Sequence, residues 1–237
     1  MTPPAQESMD ISVVTPTLNE AVGAPPLVSR LHALFSEQRL SHEILVVDGG
    51  STDGTQELVR AAGAEVLPCP ELGYGPAFRQ GVRAARGAFI LTIDGDGSHP
   101  PESALDLWRF RNDADLVIGS RYVTGGSARM PFHRLALSRA LNALTRVFYG
   151  FPVQDASGGL RLYRAALLKT LSPRARDFSI QQEVLAGILK SGAKVREVPI
   201  EFRPRFGGRS KASALNLGVS YVKLFFELKS GAPNGHP

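Results

Sequence analysis

Four short apolar runs, Ile11–Thr15, Ile44–Val47, Phe89–Ile93 and Leu116–Ile118, recur along the first half of the chain, each running into Pro, Asp or Gly. Continuous, partly β-branched apolar runs without alternation are how strands covered on both faces read. Helical patterns lie between them. Pro25–Phe35 opens with prolines and sets Leu27, Leu31 and Leu34 on one face; Asp53–Ala62 starts on a capping Asp with Glu57 beyond it; Pro76–Arg86 and Pro101–Phe110 carry Pro near the start. Strand–helix alternation of this kind predicts an α/β fold, a mostly parallel sheet flanked by helices, with ligands at the carboxyl ends of its strands.

A chain of 237 residues with 43% hydrophobic side chains fits one domain of ordinary size. The second half is less regular: Arg134–Phe148 and Ile180–Ser191 read as helices, Val195–Phe202 as a strand, and Phe206–Ala212 as a Gly/Ser/basic loop. Residues 1–10 read as a loose tail without a secretory pattern. The lone Cys69 forms no internal disulfide and lacks the partners of a zinc site, which fits a cytoplasmic protein. The segment 213–237 reads as an amphipathic helix and tail. Its apolar stretch Val219–Leu228 is ten residues long and contains Lys223 and Glu227, short of the roughly 20 residues that span a bilayer, so it suits lying on a membrane rather than crossing one.

The net charge of +5 conceals a division. Residues 1–120 carry 8 Lys and Arg against 16 Asp and Glu, whereas residues 121–211 carry 17 against 5. An acidic half suits a metal, and a basic half suits an anionic ligand or lipid headgroups. No aromatic-interleaved or groove-reading helix accompanies the basic half, which argues against nucleic acid.

The polar segments that follow three of the strands, Thr15–Glu20, Asp48–Thr55 and Asp94–Pro100, are expected to converge on one crevice. Asp94-Gly95-Asp96-Gly97-Ser98-His99-Pro100 places two carboxylates one residue apart in a Gly-rich turn, where both reach one hard cation and leave positions for phosphate oxygens. A solvated turn is the bland alternative. A calcium loop fails, because its sixth position is His99 and its twelfth Leu105. Gly73-Tyr74-Gly75 is no dinucleotide fingerprint, since Phe78 stands at the third glycine position. His99 and His133 read as turn or surface residues.

Val14–Glu20, Val46–Thr55 and Asp94–Pro100, in this order and at these separations, resemble the family-two glycosyltransferases of the GT-A fold, a Rossmann-like single domain. Gly119-Ser120-Arg121-Tyr122 with Gly125-Gly126, Asp155–Arg164, Gln182-Glu183, Glu197–Ile200 and Arg205–Lys211 sharpen the resemblance to the polyprenol-phosphate sugar synthases. The similarity covers residues 11–212, of which 11–120 form a nucleotide and metal half and 121–212 an acceptor half. Gly49 departs from the family, which usually has a second Asp there, and this leaves base preference open.

That resemblance implies that Pro16, Leu18, Glu20 and Asp48 border the nucleoside and that Asp94, Asp96 and Ser98 meet Mg²⁺ or Mn²⁺. It further implies that Arg205, Ser210 and Lys211 close on the donor diphosphate, and that Arg121, Arg134 and Ser138 bind the acceptor phosphate. The expected reaction is inverting transfer of a hexose, mannose ahead of glucose, from a nucleotide diphosphate sugar (GDP-mannose or UDP-glucose) to a polyprenyl phosphate. It is expected at the cytoplasmic face of a membrane. A hydroxyl acceptor is the alternative, and it needs a base, for which Asp155 is the candidate. A catalytically silent nucleotide-sugar-binding module is the reading from another class.

Overall fold

The computed structural model describes residues 9–206. Seven strands form one sheet: β1 (Ile11–Thr17), β2 (His42–Asp48), β3 (Glu65–Pro68), β4 (Phe89–Thr92), β5 (Leu116–Ser120), β7 (Arg161–Arg164) and β8 (Val195–Pro199). A small two-stranded sheet pairs β6 (Ser127–Ala128) with β9 (Glu201–Phe202). The order of the large sheet is β3-β2-β1-β4-β7-β5-β8. All neighbours in it are parallel except β7, which runs antiparallel to both β4 and β5.

The helices are α1 (Ala24–Glu37), α2 (Thr55–Ala61), α3 (Tyr74–Ala84), α4 (Ser103–Arg109), α5 (Phe132–Tyr149), α6 (Ala165–Leu168) and α7 (Ile180–Lys190). They cover the sheet from two sides. Leu27, Leu31 and Phe35 of α1, Val59 of α2 and Leu107 of α4 bury against one face, and Phe78 and Val82 of α3 with Ile180, Val184 and Leu185 of α7 against the other. A strand sandwiched this way has no polar face to show, which is why Val13, Val14, Ile44–Val47 and Leu116–Ile118 read as unbroken apolar runs.

The four strands of the first half, the six helices and the later strand segment expected from sequence all exist, with shifted ends. The helix expected at 53–62 begins only at Thr55, because the left-handed Gly54 (φ 86°) precedes it and Asp53 caps from outside, its Oδ1 accepting from the Thr55 N–H at 3.1 Å. The strand expected over 195–202 breaks at Ile200 into β8 and β9. Met9 and Asp10 correct the expectation of a loose tail to residue 10: the Met9 carbonyl accepts from Ala88 N at 2.8 Å, and the Asp10 carboxylate accepts from Ser41 N and Oγ at 2.9 and 2.8 Å. The halves 11–120 and 121–212 share one sheet, because β7 and β8 complete the part begun by the first half. The expected helix and tail at 213–237, with Val219–Leu228, lie outside the described residues, as do residues 1–8.

Candidate active site

The exits of β1, β2 and β4 carry the three polar segments to the same edge of the sheet. The first two are stitched together by their own side chains. Ser51 Oγ accepts from Asn19 N at 2.8 Å, Asn19 Oδ1 from Thr52 N at 2.9 Å, Thr55 Oγ1 from Glu20 N at 2.9 Å, and Asp53 Oδ2 from Ala21 N at 3.1 Å. Hydroxyl and amide side chains after a strand thus satisfy the backbone donors that a loop would otherwise leave open. This framework leaves Pro16, Leu18 and Glu20 half-exposed along the crevice.

Asp48, expected to border a nucleoside, ends β2 with its carboxylate already engaged. Its side chain is buried, and its carboxylate accepts from Gly50 N at 3.0 Å, Ser51 N at 2.8 Å, Gln56 Nε2 at 2.7 Å and Ser51 Oγ at 2.5 Å. All of these donors belong to its own loop and the following helix, so in this state Asp48 shapes the β2 exit rather than offering a free edge to a base.

Beyond β4, the chain turns through Asp94–Pro100. Gly97 takes φ 77°, a left-handed conformation, and a Cβ there would collide with the Phe206 ring. Asp96 Oδ1 accepts from Ser98 N at 3.0 Å, and Asp96 Oδ2 pairs with Arg205 Nη2 at 3.2 Å. Segment 203–206 is zipped onto this turn, because Arg203 N donates to Ser98 O at 2.8 Å and Phe206 N to Asp96 O at 3.1 Å. Arg205, expected on a donor diphosphate, is therefore paired with an Asp96 carboxylate oxygen. Ser210 and Lys211 lie outside the described residues.

Three groups in the turn are buried and without a hydrogen-bond partner: the Ser98 hydroxyl and both ring nitrogens of His99. His99 corrects the expectation of a turn or surface residue, since it sits in the turn but is only 2% exposed. Its ring packs edge-on to Phe202, and Nε2 lies 3.6 Å from Asp94 Oδ2. His133 is exposed, as expected. Among the described residues no three His, Cys, Asp or Glu side chains converge. The turn thus carries two carboxylates and an orphaned hydroxyl, hard oxygen donors of the kind Mg²⁺ or Mn²⁺ takes, with further oxygens to come from outside the protein.

The antiparallel direction of β7 brings the segment before it, Asp155–Leu160, to the same edge. Thr92 Oγ1 donates to Gly159 O at 2.8 Å. A Cβ on Gly159 would lie 2.7 Å from Asp94 Oδ2, so this glycine lets the carboxylate close on the backbone, while the position of a Cβ on the neighbouring Gly158 lies 3.5 Å from Asp155 Oδ2, an ordinary contact. Asp155 is 0% exposed and holds Arg121 in a two-pronged pair, Nε to Oδ2 and Nη2 to Oδ1, both at 2.7 Å. Arg121 N donates to Oδ2 at 3.1 Å, and Arg121 Nη2 also reaches Ser157 Oγ at 2.7 Å. Burial pushes the Asp155 carboxyl up, but the Arg121 charge and hydrogen bonds, with Arg161 behind them, outweigh this and hold it below the usual carboxylate range. A buried, paired carboxylate of lowered basicity is a poor proton acceptor, which departs from the expectation of Asp155 as a base.

Arg134 and Ser138 fall four residues apart on α5, as expected. Arg134 is exposed, and Ser138 Oγ accepts from the Tyr122 hydroxyl at 2.7 Å. Tyr122 and His99 were assigned no role from sequence. The signal for each was its place inside a motif, directly beside Arg121 and Ser98.

Carboxylates at the strand exits of a mostly parallel sheet, with a basic rim supplied across an antiparallel strand, define a GT-A type of α/β domain. The chain belongs to Glycosyl transferase family 2, whose sequence profile matches residues 12–172. It is 35% identical over 230 residues to the polyprenol monophosphomannose synthase of Mycolicibacterium smegmatis, covering 90% of this chain and 84% of that one. It is 33% identical to the undecaprenyl-phosphate mannosyltransferase of Micrococcus luteus, covering 91% and 93%. Among solved structures, the fold matches glucosyl-3-phosphoglycerate synthase from Mycobacterium tuberculosis in complex with Mn²⁺, uridine diphosphate and glucosyl-3-phosphoglycerate, with TM-score 0.73, 22% identity and coverage of 96% and 82%. It also matches mannosyl-3-phosphoglycerate synthase from Rubrobacter xylanophilus, with TM-score 0.75, 22% identity and coverage of 97% and 77%.

Proposed function

We propose that the protein transfers a hexose, mannose ahead of glucose, from a nucleotide diphosphate sugar to a polyprenyl phosphate with inversion at the anomeric carbon. The observation that carries this reading is the meeting of two sites at Gly158–Gly159: the Asp94/Asp96 turn on one side and Arg121, clamped by Asp155, on the other. The named activities of the two relatives support the sugar and the acceptor.

Pro16, Leu18 and Glu20 line the nucleoside side of the crevice, and Asp94, Asp96 and Ser98 hold the cation. When bound, that Mg²⁺ or Mn²⁺ neutralises charge on the diphosphate leaving group, and the crystallised neighbour with Mn²⁺ and uridine diphosphate supports this. Arg205 leaves Asp96 to meet the diphosphate, joined by Ser210 and Lys211. Arg121, Arg134 and Ser138 aim a phosphate oxygen of the acceptor at the anomeric carbon. That oxygen forms the new C–O bond while the bond to the nucleotide breaks and its electron pair stays on the diphosphate. An acceptor oxygen that is already anionic needs no base, which agrees with an Asp155 devoted to Arg121.

The reading is tested by incubating the protein with a panel of nucleotide sugars and Mg²⁺ or Mn²⁺, with and without polyprenyl phosphate. Turnover that requires polyprenyl phosphate is expected, and transfer to a hydroxyl acceptor alone would replace this reading with the alternative.

Such an acceptor implies work at a membrane surface. Among the described residues no helix is long and apolar enough to cross one. Helix α5 supports peripheral attachment, because its faces are inverted: Asn142 and Thr145 are buried while Phe132 and Val147 are 84% and 78% exposed, beside Arg134, Arg139 and Arg146. Co-flotation with liposomes containing acidic lipid at low salt is expected, and protein left at the bottom of the gradient counts against it.

A further inference from the structure

Tyr122 stands at the centre of the basic rim, and no step of the transfer has used it. Its hydroxyl donates to Ser138 Oγ at 2.7 Å. Its ring lies under two guanidinium groups, with Arg121 Cζ 5.0 Å and Arg139 Cζ 5.8 Å from the ring centroid. Asn142, buried one turn along α5 from Ser138, donates Nδ2 to Ser138 O at 2.9 Å and to Ser157 Oγ at 3.1 Å, and Ser157 Oγ in turn accepts from Arg121 Nη2 at 2.7 Å. Tyr122 therefore touches Arg121 through its ring and Ser138 through its hydroxyl, and a second path through Asn142 and Ser157 ties the same two residues together.

A serine hydroxyl can donate one proton and accept two. In a helix it ordinarily turns its proton back to the carbonyl four residues earlier. A phenol proton delivered to Ser138 Oγ occupies one of its lone pairs and leaves the serine's own proton directed away from the phenol, free to be offered to an acceptor oxygen. The aromatic face, negative at its centre, holds the Arg121 guanidinium against it while the Asp155 carboxylate fixes that guanidinium in plane.

We propose that Tyr122 is a positioning residue for the acceptor phosphate, setting the direction of the Ser138 hydroxyl and the placement of Arg121 without touching the sugar or the nucleotide. This rests on the polyprenyl-phosphate reading of the site. The prediction separates two parts of one side chain. Tyr122→Phe removes only the hydrogen bond, and it should raise the acceptor KM about three- to ten-fold, the range of a single hydrogen bond, while kcat and the nucleotide-sugar KM hold. Tyr122→Leu also removes the aromatic face, and it should raise the acceptor KM by a further factor of about two to five.

Ser138→Ala should match Tyr122→Phe. Because the phenol acts through that serine, Tyr122→Phe should add less than a factor of two in the Ser138→Ala background, a coupling that general loosening of the fold would not produce. An acceptor KM raised by Ser138→Ala but unmoved by Tyr122→Phe overturns the role of Tyr122 and leaves the acceptor site standing. So does full additivity of the two changes. An acceptor KM unmoved in both variants and in Arg134→Ala overturns the acceptor site together with the inference.

Discussion

The two sides of the crevice are built by opposite means. On the donor side, three loops leave parallel strands, and the first two are tied to each other through Asn19, Ser51, Thr52, Asp53 and Thr55, so that part of the frame is complete before any ligand arrives. On the acceptor side, one buried ion pair and one exposed helix do the corresponding work, and the apolar residues of that helix face outward. A small, charged, water-soluble donor calls for a rigid cup of polar loops. An amphipathic acceptor, with a phosphate at one end and hydrocarbon behind it, calls for fixed cations close to an apolar surface.

That contrast predicts which changes will hurt what. The largest effect is expected on the donor side: Asp96→Ala should lower turnover by roughly 10²- to 10³-fold, the scale of removing one group that stabilises developing charge, with the thermal midpoint held. Turnover and melting measured on the same preparation decide it, and full activity in the variant, or full activity of the wild type in excess EDTA, would remove the metal from the donor side.

Next comes Asp155→Asn on the acceptor side, where the expected loss is in stability as well as in acceptor KM. Leaving the Arg121 guanidinium buried without its carboxylate should cost about 3–5 kcal/mol at neutral pH. Asp155 is held below its ordinary value in the folded protein, so the stabilisation it contributes is fully present above the unfolded value of about 4 and is lost as the pH falls through the folded value. Denaturant unfolding should therefore show a gap between wild type and variant that is constant from pH 5 to pH 8, by that argument, and narrows only in stronger acid, below about pH 4. A gap that instead closed between pH 5 and pH 8 would mean that the carboxyl titrates there and is available as a base after all.

The smallest effect concerns a contact within the donor side, between its turn and the segment zipped onto it. In the proposed site, Arg205 on Asp96 Oδ2 would compete with the cation for the same oxygen. Arg205→Gln should tighten Mn²⁺ binding about two- to five-fold in the absence of nucleotide, the worth of a partly exposed pair, and weaken nucleotide binding when the donor is present. Calorimetric titration of Mn²⁺ into nucleotide-free protein checks this, and equal affinities would mean that the pair places no restraint on the turn.

How legible each region was in the sequence follows from the same contrast. Strands covered on both faces advertise themselves as apolar runs, so β1, β2, β4 and β5 and the motifs after them were readable. The edge strand β3 is only partly covered, and β7 reads Arg-Leu-Tyr-Arg, a pattern that looks like surface. Arg161 is nonetheless fully buried, because the carbonyls of Gly158, Gln181 and Ala156 accept from its guanidinium at 2.7–2.9 Å. Polarity reports burial only when the partners are known, and here they are backbone carbonyls, which no residue type advertises. Asp155 and Asp48 likewise looked like free carboxylates, and His99 looked like a turn residue. Family resemblance located the motifs, but it did not say which of their side chains face the ligand and which hold the loop.

The antiparallel strand also has a consequence for the order in which the molecule can assemble. Strands β3, β2, β1 and β4 are neighbours drawn from the first 92 residues, so their pairings can form while the remainder of the chain is still emerging from the ribosome. The strand at 116–120 has no place beside them until 161–164 arrives to occupy the slot between. Closing that interval demands a long-range contact, the kind that slows folding most, and it requires a guanidinium to be drawn into the interior at the same moment. The acceptor side is therefore the last part of the sheet to be born, and a nascent chain stalled before residue 161 would hold a nearly finished nucleotide cup with nothing to aim at it.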